Sequence, residues 1–253
     1  IKYKPKGYAM ELRINAEKAT LQGDEIQFIP NAGKITRFEL PEDKNVHLLK
    51  SIESGKEVTP FYDSMVVQVI CYGKDRNDTI NKLKKYLDNT IIQGVSTNIP
   101  LLKRILSDDV FVNGDYDTGY LPNFLSRIDK DALIKDIATS AGDSKQSMTL
   151  DNLRIEGSNE LKVLAPASSI FYSAPSPTEP PYVKEGDTIS VTKTLCLMEA
   201  MKMFSPLNLK SFNTQSNTLY DPDAQYKVVR IHNAEGQQVN QGDLLFVISP
   251  VQH

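Results

Sequence analysis

Apolar and polar residues alternate with a period of two over the first part of the chain, and this pattern predicts β-strands. One such segment, residues 8–15, carries four apolar side chains on a single face: Tyr8, Met10, Leu12 and Ile14. The segment Met65–Tyr72 is apolar on both faces, which is typical of a strand that is covered on both sides. A third strand is predicted at Ile35–Leu40, which Pro41 terminates.

The segment after Met65–Tyr72 has helical spacing instead. Asp75 is placed to cap a helix by accepting a hydrogen bond from a backbone N–H. The apolar positions that follow form one stripe, made of Ile80, Leu83, Leu87 and Ile91. Pro100 suits the first turn of a second, short helix at Leu101–Leu106. Residues 1–125 are therefore predicted to form an α+β domain.

Residues 126–160 differ in composition from the part that precedes them. They are rich in Lys, Asp, Ser and Gly and contain few large apolar side chains, which predicts a linker between domains. One short helix is expected within this linker, at Asp131–Ala138. A flexible chain of this length spans on the order of 30 Å.

An internal repeat organises residues 161–253. The tripeptide Glu185-Gly186-Asp187 returns fifty positions later as Glu235-Gly236-Gln237, and each copy is followed by apolar residues at matching positions. Because one copy alone cannot bury its apolar face, the repeat predicts a pseudo-twofold β sandwich. The segment between the copies lies near the predicted axis of pseudo-symmetry, and it contains Glu199-Ala200-Met201-Lys202-Met203.

Composition and charge narrow the classes of function. The 253 residues carry a net charge of -3 and are 40% hydrophobic, so we expect a globular protein of one or two domains. No broad positive field is implied that would bind nucleic acid or an anionic membrane, and no apolar run approaches the roughly 20 residues of a membrane span. Cys71 and Cys196 sit in apolar segments without a CxxC pair, so we expect buried thiols and neither a disulfide nor a metal site.

The pentapeptide Glu199–Met203 resembles the biotin attachment motif of biotin carrier domains. The resemblance implies that Lys202 stands at the tip of a hairpin and is joined to biotin by an amide, with Glu199, Ala200, Met201 and Met203 completing the motif. The long flexible stem of lysine suits a swinging arm, and amide formation removes its charge. Two other interpretations stay open. One is a surface lysine without function, and the other is a lipoyl domain, which shares the scaffold but usually has Asp-Lys-Ala at the tip.

A second feature of this domain refines the resemblance. The proline-rich stretch Phe171–Pro181 resembles the protruding thumb of bacterial acetyl-CoA carboxylase carrier proteins. Proline fixes φ and can order such a loop without strand pairing. The alternative is a proline-rich loop with no partner. Ser205–Gln225 is longer and more polar than the corresponding part of the usual carrier domain, so we expect an inserted loop there.

Five blocks of residues 1–121 resemble, in order, the C-terminal domain of biotin carboxylases. The blocks are Tyr8–Glu17, Ala32–Phe38, Pro60–Met65, Gln93–Ile99 and Gly114–Gly119. The resemblance implies that Arg37 contacts the ureido group of biotin and stabilises the oxyanion of enolised biotin, a task that suits an always-charged guanidinium. Residue type and spacing alone would favour a salt-bridged surface arginine. Arg13 is interpreted as structural, and Tyr62 and Asp63 as scaffold residues near the site.

Other parts of a biotin carboxylase do not occur in this sequence. It contains no GxxxxGK[ST] or GxGxxG loop for nucleotide phosphates, so this chain alone is expected to be inactive toward ATP. We interpret it as part of a longer, fused subunit of a biotin-dependent acyl-CoA carboxylase, a cytoplasmic ligase. Covalent biotin is the cofactor that the chain itself would carry, whereas ATP, Mg²⁺ and bicarbonate are expected only with upstream domains.

The acceptor and the partners follow from the same resemblance. Acetyl-CoA, used in fatty-acid synthesis, is favoured because of the thumb and because the large β-barrel domain of propionyl-CoA carboxylases is missing. Propionyl-CoA, another acyl-CoA and pyruvate remain alternatives, as does a non-enzymatic biotinylated carrier with a degenerate carboxylase remnant. The expected partners are a biotin protein ligase, a second copy of the chain in a homodimer through the carboxylase part, and a carboxyltransferase subunit.

Overall fold

A computed structural model describes residues 6–22, 24–142, 150–213 and 218–251. The chain divides into two compact units. Ile1–Val58 and Asp63–Asp143 form the first unit, and Ser144–His253 make up the bulk of the second. No helix in the described part of the chain is both long and apolar enough to cross a bilayer.

The first unit is an α+β domain, as the alternating and helical patterns predicted. Its strands are β1 (Tyr8–Asn15), β2 (Glu17–Gln22), β3 (Glu25–Pro30), β4 (Gly33–Lys34), β5 (Arg37–Glu39), β6 (Val46–Lys50), β7 (Glu57–Val58), β8 (Met65–Gly73) and β9 (Ile91–Gln93). Its helices are α1 (Arg76–Asp88), α2 (Ile99–Ile105), α3 (Asp109–Asn113), α4 (Tyr120–Arg127) and α5 (Lys130–Ser140). β1, β8 and β6 form an antiparallel sheet in that order, and the remaining strands pair two by two.

The predicted central strand and its following helix are confirmed as β8 and α1. Val66 and Val67 are both almost fully buried although they point to opposite faces of β8, because side chains alternate across a strand. The carboxylate of Asp75 accepts a hydrogen bond from the backbone N–H of Asp78 at 2.8 Å, which caps α1. Ile91 does not extend the helical stripe, since it belongs to β9.

The predicted linker at 126–160 contains ordered helices at both of its ends, and the short helix expected at Asp131–Ala138 is present as α5. Residues 130–140 form α5, whose Leu133 and Ile137 are buried with Phe124 in a small core of the first unit. At the other end, Leu150–Leu153 form helix α6, and Leu153 is buried in the core of the second unit. Three apolar residues at helical spacing were enough to dock α5, so the first unit extends beyond the predicted boundary at residue 125.

The second unit contains two four-stranded antiparallel sheets. Its strands are β10 (Leu161–Leu164), β11 (Ser169–Tyr172), β12 (Thr188–Ser190), β13 (Cys196–Ala200), β14 (Met203–Leu207), β15 (Gln225–Ile231), β16 (Gln237–Val239) and β17 (Leu244–Pro250). The order of one sheet is β10-β17-β15-β12, and the order of the other is β14-β13-β11-β16. Exchanging the first four strands with the last four converts one order into the other, which confirms the pseudo-twofold β sandwich.

Equivalent hydrogen bonds in the two halves support the same symmetry. The N–H of Gly236 donates to the carbonyl of Phe171 at 2.9 Å, and the N–H of Gly186 donates to the carbonyl of Val228 at 2.8 Å. Each of the two repeated Glu-Gly turns therefore donates a hydrogen bond to a strand of the other half. The two sheets enclose one apolar core.

The predicted insertion at 205–225 is packed rather than loose over its described part. Its first residues belong to β14, and Leu209–Phe212 form a 3₁₀-helix. The side-chain oxygen of Asn213 accepts from the backbone N–H groups of Leu219 and Tyr220, each at 2.9 Å. Tyr220, buried to 1% exposure, donates its hydroxyl to the carbonyl of Lys162 at 2.9 Å. The described part of residues 205–225 therefore adds buried side chains to the sandwich core next to β10.

Both cysteines are buried, as the sequence predicted, and neither forms a disulfide in the structure. Burial raises the pKa of the Cys196 thiol, because the thiolate would lose hydration. Among the described residues, no group of three or more His, Cys, Asp or Glu side chains is arranged to hold a metal ion.

Candidate functional site

Lys202 lies at the tip of the hairpin that joins β13 to β14. Ala200 pairs with Met203 as the last rung of this hairpin, so the turn consists of Met201 and Lys202 alone. Both turn residues have positive φ, 53° at Met201 and 63° at Lys202. Positive φ at both central residues defines the type I′ turn, whose twist matches that of the flanking strands. The hairpin tip predicted from the attachment motif is therefore present in the fold.

The turn has an unfavourable sequence for its conformation. Type I′ turns prefer Asn-Gly, because a side chain in the left-handed region costs roughly 1–2 kcal/mol per residue. Met201 and Lys202 are the only non-glycine residues with positive φ in the described part of the chain. Backbone strain of this kind concentrates at functional sites, so the strain points to selection for the side chains rather than for the turn.

Replacing this turn by its preferred sequence should stabilise the domain. We expect the double variant Met201→Asn, Lys202→Gly to unfold with a free energy roughly 1–2 kcal/mol larger than that of Lys202→Arg, which keeps the strain. Urea denaturation of the two variants, followed by circular dichroism, measures the difference. Equal or lower stability of the Asn-Gly variant would show that the turn is not strained.

The other residues of the motif have distinct environments. Ala200 is buried, whereas Met203 is 52% exposed next to the tip. Glu199 is half-buried, and its carboxylate accepts a hydrogen bond from the hydroxyl of Tyr172 at 2.7 Å. That bond raises the pKa of Tyr172, because the bonded proton is harder to remove. Glu199 thus ties β13 to β11 directly below the exposed tip.

The predicted thumb leaves the sheet directly after Tyr172. The N–H of Tyr182 donates to the carbonyl of Ser173 at 2.9 Å and closes a loop over residues 173–182. The carboxylate of Glu235 accepts from both the N–H and the hydroxyl of Ser173, at 2.7 and 2.6 Å. The prolines of this loop are exposed: Pro175, Pro177, Pro180 and Pro181. The loop is therefore anchored at its base and open to solvent along its length.

In the first unit, Arg37 is engaged in a local ion pair. Its guanidinium donates two hydrogen bonds to the carboxylate of Glu39, at 2.7 and 2.8 Å. These bonds raise the pKa of Arg37 and lower that of Glu39. The alternation of strand β5 places residues 37 and 39 on the same face, so this pairing was readable from the sequence. Arg37 also lines an open cleft of about 550 Å³ with Gln93 and Lys103.

Arg13, for which the sequence predicts a structural role, is held by fewer contacts than Arg37. Its Nε lies 3.7 Å from the carboxylate of Glu11, and its side chain is 63% exposed. Among the described residues, its guanidinium makes no hydrogen bond. Asp63 is occupied locally, since its carboxylate accepts from the N–H of Met65 at 2.8 Å, and Tyr62 is 78% exposed. Arg13, Arg37 and Asp63, the predicted residues that lie in the first unit, therefore do not form one hydrogen-bonded cluster.

Comparison with known proteins assigns both units. Residues 11–123 match the model of the biotin carboxylase C-terminal domain, and residues 161–211 match the model described as biotin-requiring enzyme. The chain is 39% identical to a biotin carboxylase of Halalkalibacterium halodurans over 119 residues, which are 47% of this chain and 25% of that protein. It is 37% identical to a pyruvate carboxylase component of Methanothermobacter thermautotrophicus over 124 residues, 49% of this chain and 24% of that protein.

Similarity to a solved structure is also confined to part of the chain. The biotin carboxylase–β,γ-ATP complex from Campylobacter jejuni aligns with 47% of this chain and 26% of that chain, at 32% identity and a TM-score of 0.43. The chain spans about a quarter of the length of these relatives.

The two matched models define a class, the biotin-dependent carboxylases, to which this chain belongs. Within that class it has the organisation of a fused subunit, in which a biotin carboxylase C-terminal domain and a biotinyl-type sandwich follow each other in one polypeptide.

Proposed function

We propose that Lys202 carries covalent biotin and that the second unit is the biotin carrier of a carboxylase. The observation that supports this most strongly is the strained turn at Met201-Lys202, in which Lys202 is exposed. The turn lies within the Glu199–Met203 motif and between two pseudo-equivalent halves. Because Lys202 is exposed at the tip of this hairpin, its ε-amine is accessible to a ligase. An amide between its ε-amine and the biotin carboxyl group makes a long, uncharged arm.

Labelling by a ligase tests this proposal. We expect this chain, co-expressed with an active biotin protein ligase and biotin, to shift completely on a gel after streptavidin is added. Lys202→Arg should abolish the shift, because arginine has no amine that can form this amide. Lys210→Arg is the matched control, since Lys210 is also an exposed lysine of the same unit, and it should shift like the unchanged chain.

The proposed reaction has two carboxyl transfers. A biotin carboxylase site would use ATP, Mg²⁺ and bicarbonate to place a carboxyl group on N1 of biotin, and a carboxyltransferase would pass it to the acceptor. We propose that the first transfer depends on an ATP-binding part that is supplied in addition to the residues of this chain. We propose a carboxyltransferase, a biotin protein ligase and a second copy of the carboxylase part as partners.

Within the first unit, we propose Arg37 as the arginine that meets the ureido oxygen of biotin, as the resemblance to the biotin carboxylase C-terminal domain implies. Its guanidinium binds Glu39, but the two side chains are 47% and 57% exposed, and an exposed ion pair adds little stability. A ligand in the open cleft that Arg37 lines can therefore displace this pair, and the guanidinium can then stabilise an oxyanion that forms on biotin. Arg37 and Arg13 both lie in the matched family region 11–123.

Conservative variants of the two arginines test this assignment. The assay is ATP-dependent carboxylation of free biotin, by a polypeptide that joins this chain to the ATP-binding part of a biotin carboxylase. We expect Arg37→Lys to lower kcat/KM by roughly 100-fold or more, because a lysine cannot present the planar fork of donors. Arg13→Lys should stay within a few-fold of the unchanged protein. The reverse order would assign the role to Arg13.

We propose acetyl-CoA as the acceptor. The anchored, proline-rich loop 173–182 supports this choice through its resemblance to the thumb of acetyl-CoA carboxylase carriers. Relatives of the first unit include both biotin carboxylases and a pyruvate carboxylase component. Measuring carboxyl transfer from the biotinylated chain to acetyl-CoA, propionyl-CoA and pyruvate, with matching carboxyltransferases, decides among these acceptors.

A further inference from the structure

The sheet that ends in the Lys202 hairpin has an apolar outer face. The strands β14, β13, β11 and β16 alternate between side chains in the sandwich core and side chains that point away from it. The outward set is Ile170, Tyr172, Leu197, Glu199, Phe204, Pro206 and Gln238. Five of these seven are apolar, and Phe204 is 55% exposed. We call this set the hairpin face.

The pseudo-symmetry supplies an internal control. The outward set on the other sheet is Lys162, Leu164, Thr188, Ser190, Gln225, Lys227, Arg230, Leu244, Val247 and Ser249. Three of these ten are apolar, Leu164, Leu244 and Val247, compared with five of seven on the hairpin face. Both sheets have four strands in equivalent order and cover the same core, so the fold does not require a mostly apolar outer face. An apolar patch that folding does not require marks a binding surface.

The hairpin face is preformed and close to the attachment point. Phe204 follows Lys202 by two residues along β14, which is about 7 Å of strand. The rings of Phe204 and Tyr172 are 5.6 Å apart between centroids. The hydroxyl of Tyr172 is held by Glu199 at 2.7 Å, which fixes its ring beside Phe204. A group attached to Lys202 therefore has two ordered aromatic rings within its reach.

From this arrangement, and resting on the proposed biotinylation of Lys202, we infer that the biotinyl group itself binds the hairpin face between its transfers. The pentanoyl chain and the sulfur-containing ring of biotin are apolar and lie over Phe204 and Tyr172. The tether makes this contact intramolecular, at an effective concentration on the order of millimolar, so a weak complementarity suffices to populate it. Because the contact is weak, partner enzymes can still withdraw the arm.

The covalent link to Lys202 favours the biotinyl group over other molecules as the group that binds the hairpin face. A free partner protein has to reach this face by diffusion, whereas the biotinyl group is joined to the chain two residues away. Amide formation also replaces the ammonium of Lys202 by an uncharged arm, which lowers the cost of lying against an apolar surface. The single carboxylate of the face, on Glu199, already has the Tyr172 hydroxyl as a partner, so an uncharged group meets no unpaired charge there.

Nuclear magnetic resonance of the full chain, unmodified and biotinylated, tests this inference. We expect biotinylation to shift the resonances of Ile170, Tyr172 and Leu197, which lie on different strands from Lys202. Phe204→Ala should reduce these shifts by at least half. Lys227→Ala, on the outer face of the other sheet, should leave them unchanged. The unmodified spectrum of each variant shows whether it has folded.

The rate of avidin capture provides a second readout. A bound biotinyl group is captured only when it leaves the face, so Phe204→Ala should accelerate capture about two-fold or more, and Lys227→Ala should not change it. Shifts confined to residues 201–203, or to the loop 173–182, together with unchanged capture, would overturn this inference and leave the carrier function intact. A chain that takes up no biotin under an active ligase would overturn both.

Discussion

Gly94→Ala is expected to destabilise the first unit severely. Gly94 has φ +95°, and a Cβ built on it would lie 2.1 Å from the carbonyl oxygen of Lys34 and 2.8 Å from the backbone nitrogen of Thr36. Both neighbours are backbone atoms, so they cannot rotate away as a side chain would. The left-handed conformation and the overlap together should cost roughly 2–5 kcal/mol. The melting temperature should fall by roughly 10 °C or more.

Gly55 is the matched control for this variant. It also has a left-handed backbone, with φ +82°, but a Cβ there would meet nothing within 4 Å. Gly55→Ala should therefore cost only the conformational part, about 1–2 kcal/mol. Thermal unfolding of both variants separates the cost of the left-handed conformation from the cost of the steric overlap. A Gly94→Ala protein as stable as Gly55→Ala would contradict the close approach of the Gly94 segment to Lys34.

The second large effect concerns the sandwich core. Phe171 is fully buried and packs against Phe246, with ring centroids 5.9 Å apart. We expect Phe171→Ala to lower the free energy of unfolding of the second unit by about 3–5 kcal/mol, since a large cavity remains in a close-packed core. Urea denaturation followed by circular dichroism measures this loss.

Phe204 lies on the neighbouring hairpin and has the same side chain, but it is 55% exposed. Phe204→Ala should stay within about 1 kcal/mol of the unchanged chain, because little apolar surface returns to water. Comparable losses for the two variants would contradict the assignment of Phe171 to the inside and Phe204 to the outside of the sheet.

Several features of the fold follow directly from local sequence. The repeat at an offset of fifty residues predicted the pseudo-twofold relation between the two sheets. In the structure, each Glu-Gly turn donates an equivalent hydrogen bond to the other half. The apolar segment Met65–Tyr72 predicted the central strand β8, and Asp75 predicted the start of α1. These predictions are confirmed because each element depends on residues that are close together in the sequence: the spacing of its apolar side chains and the residue that caps it.

Other features depend on distant contacts and escaped prediction. The docking of α5 requires a surface supplied by Ala19, Leu101 and Phe124, which its own short apolar stripe does not reveal. The packed form of the 205–225 excursion depends on Asn213 and on the contact of Tyr220 with Lys162, 58 residues away.

At the candidate site, the motif identified Lys202, but its conformation was not predictable. Met and Lys both disfavour positive φ, so propensity argued against the turn that they form. The pairing of Arg37 with Glu39 was readable, since alternate residues of a strand share a face. The freedom of Arg13 was not readable, because it depends on which side chains surround it in the folded unit.

The most direct test of the central claim is peptide mass spectrometry of the chain after co-expression with an active biotin ligase. The carrier assignment predicts one added mass, that of an amide-linked biotin, on the peptide that contains Lys202, and no added mass in Lys202→Arg. A lipoyl-sized mass on Lys202, or an unmodified Lys202 while a known carrier in the same cells is biotinylated, would contradict it.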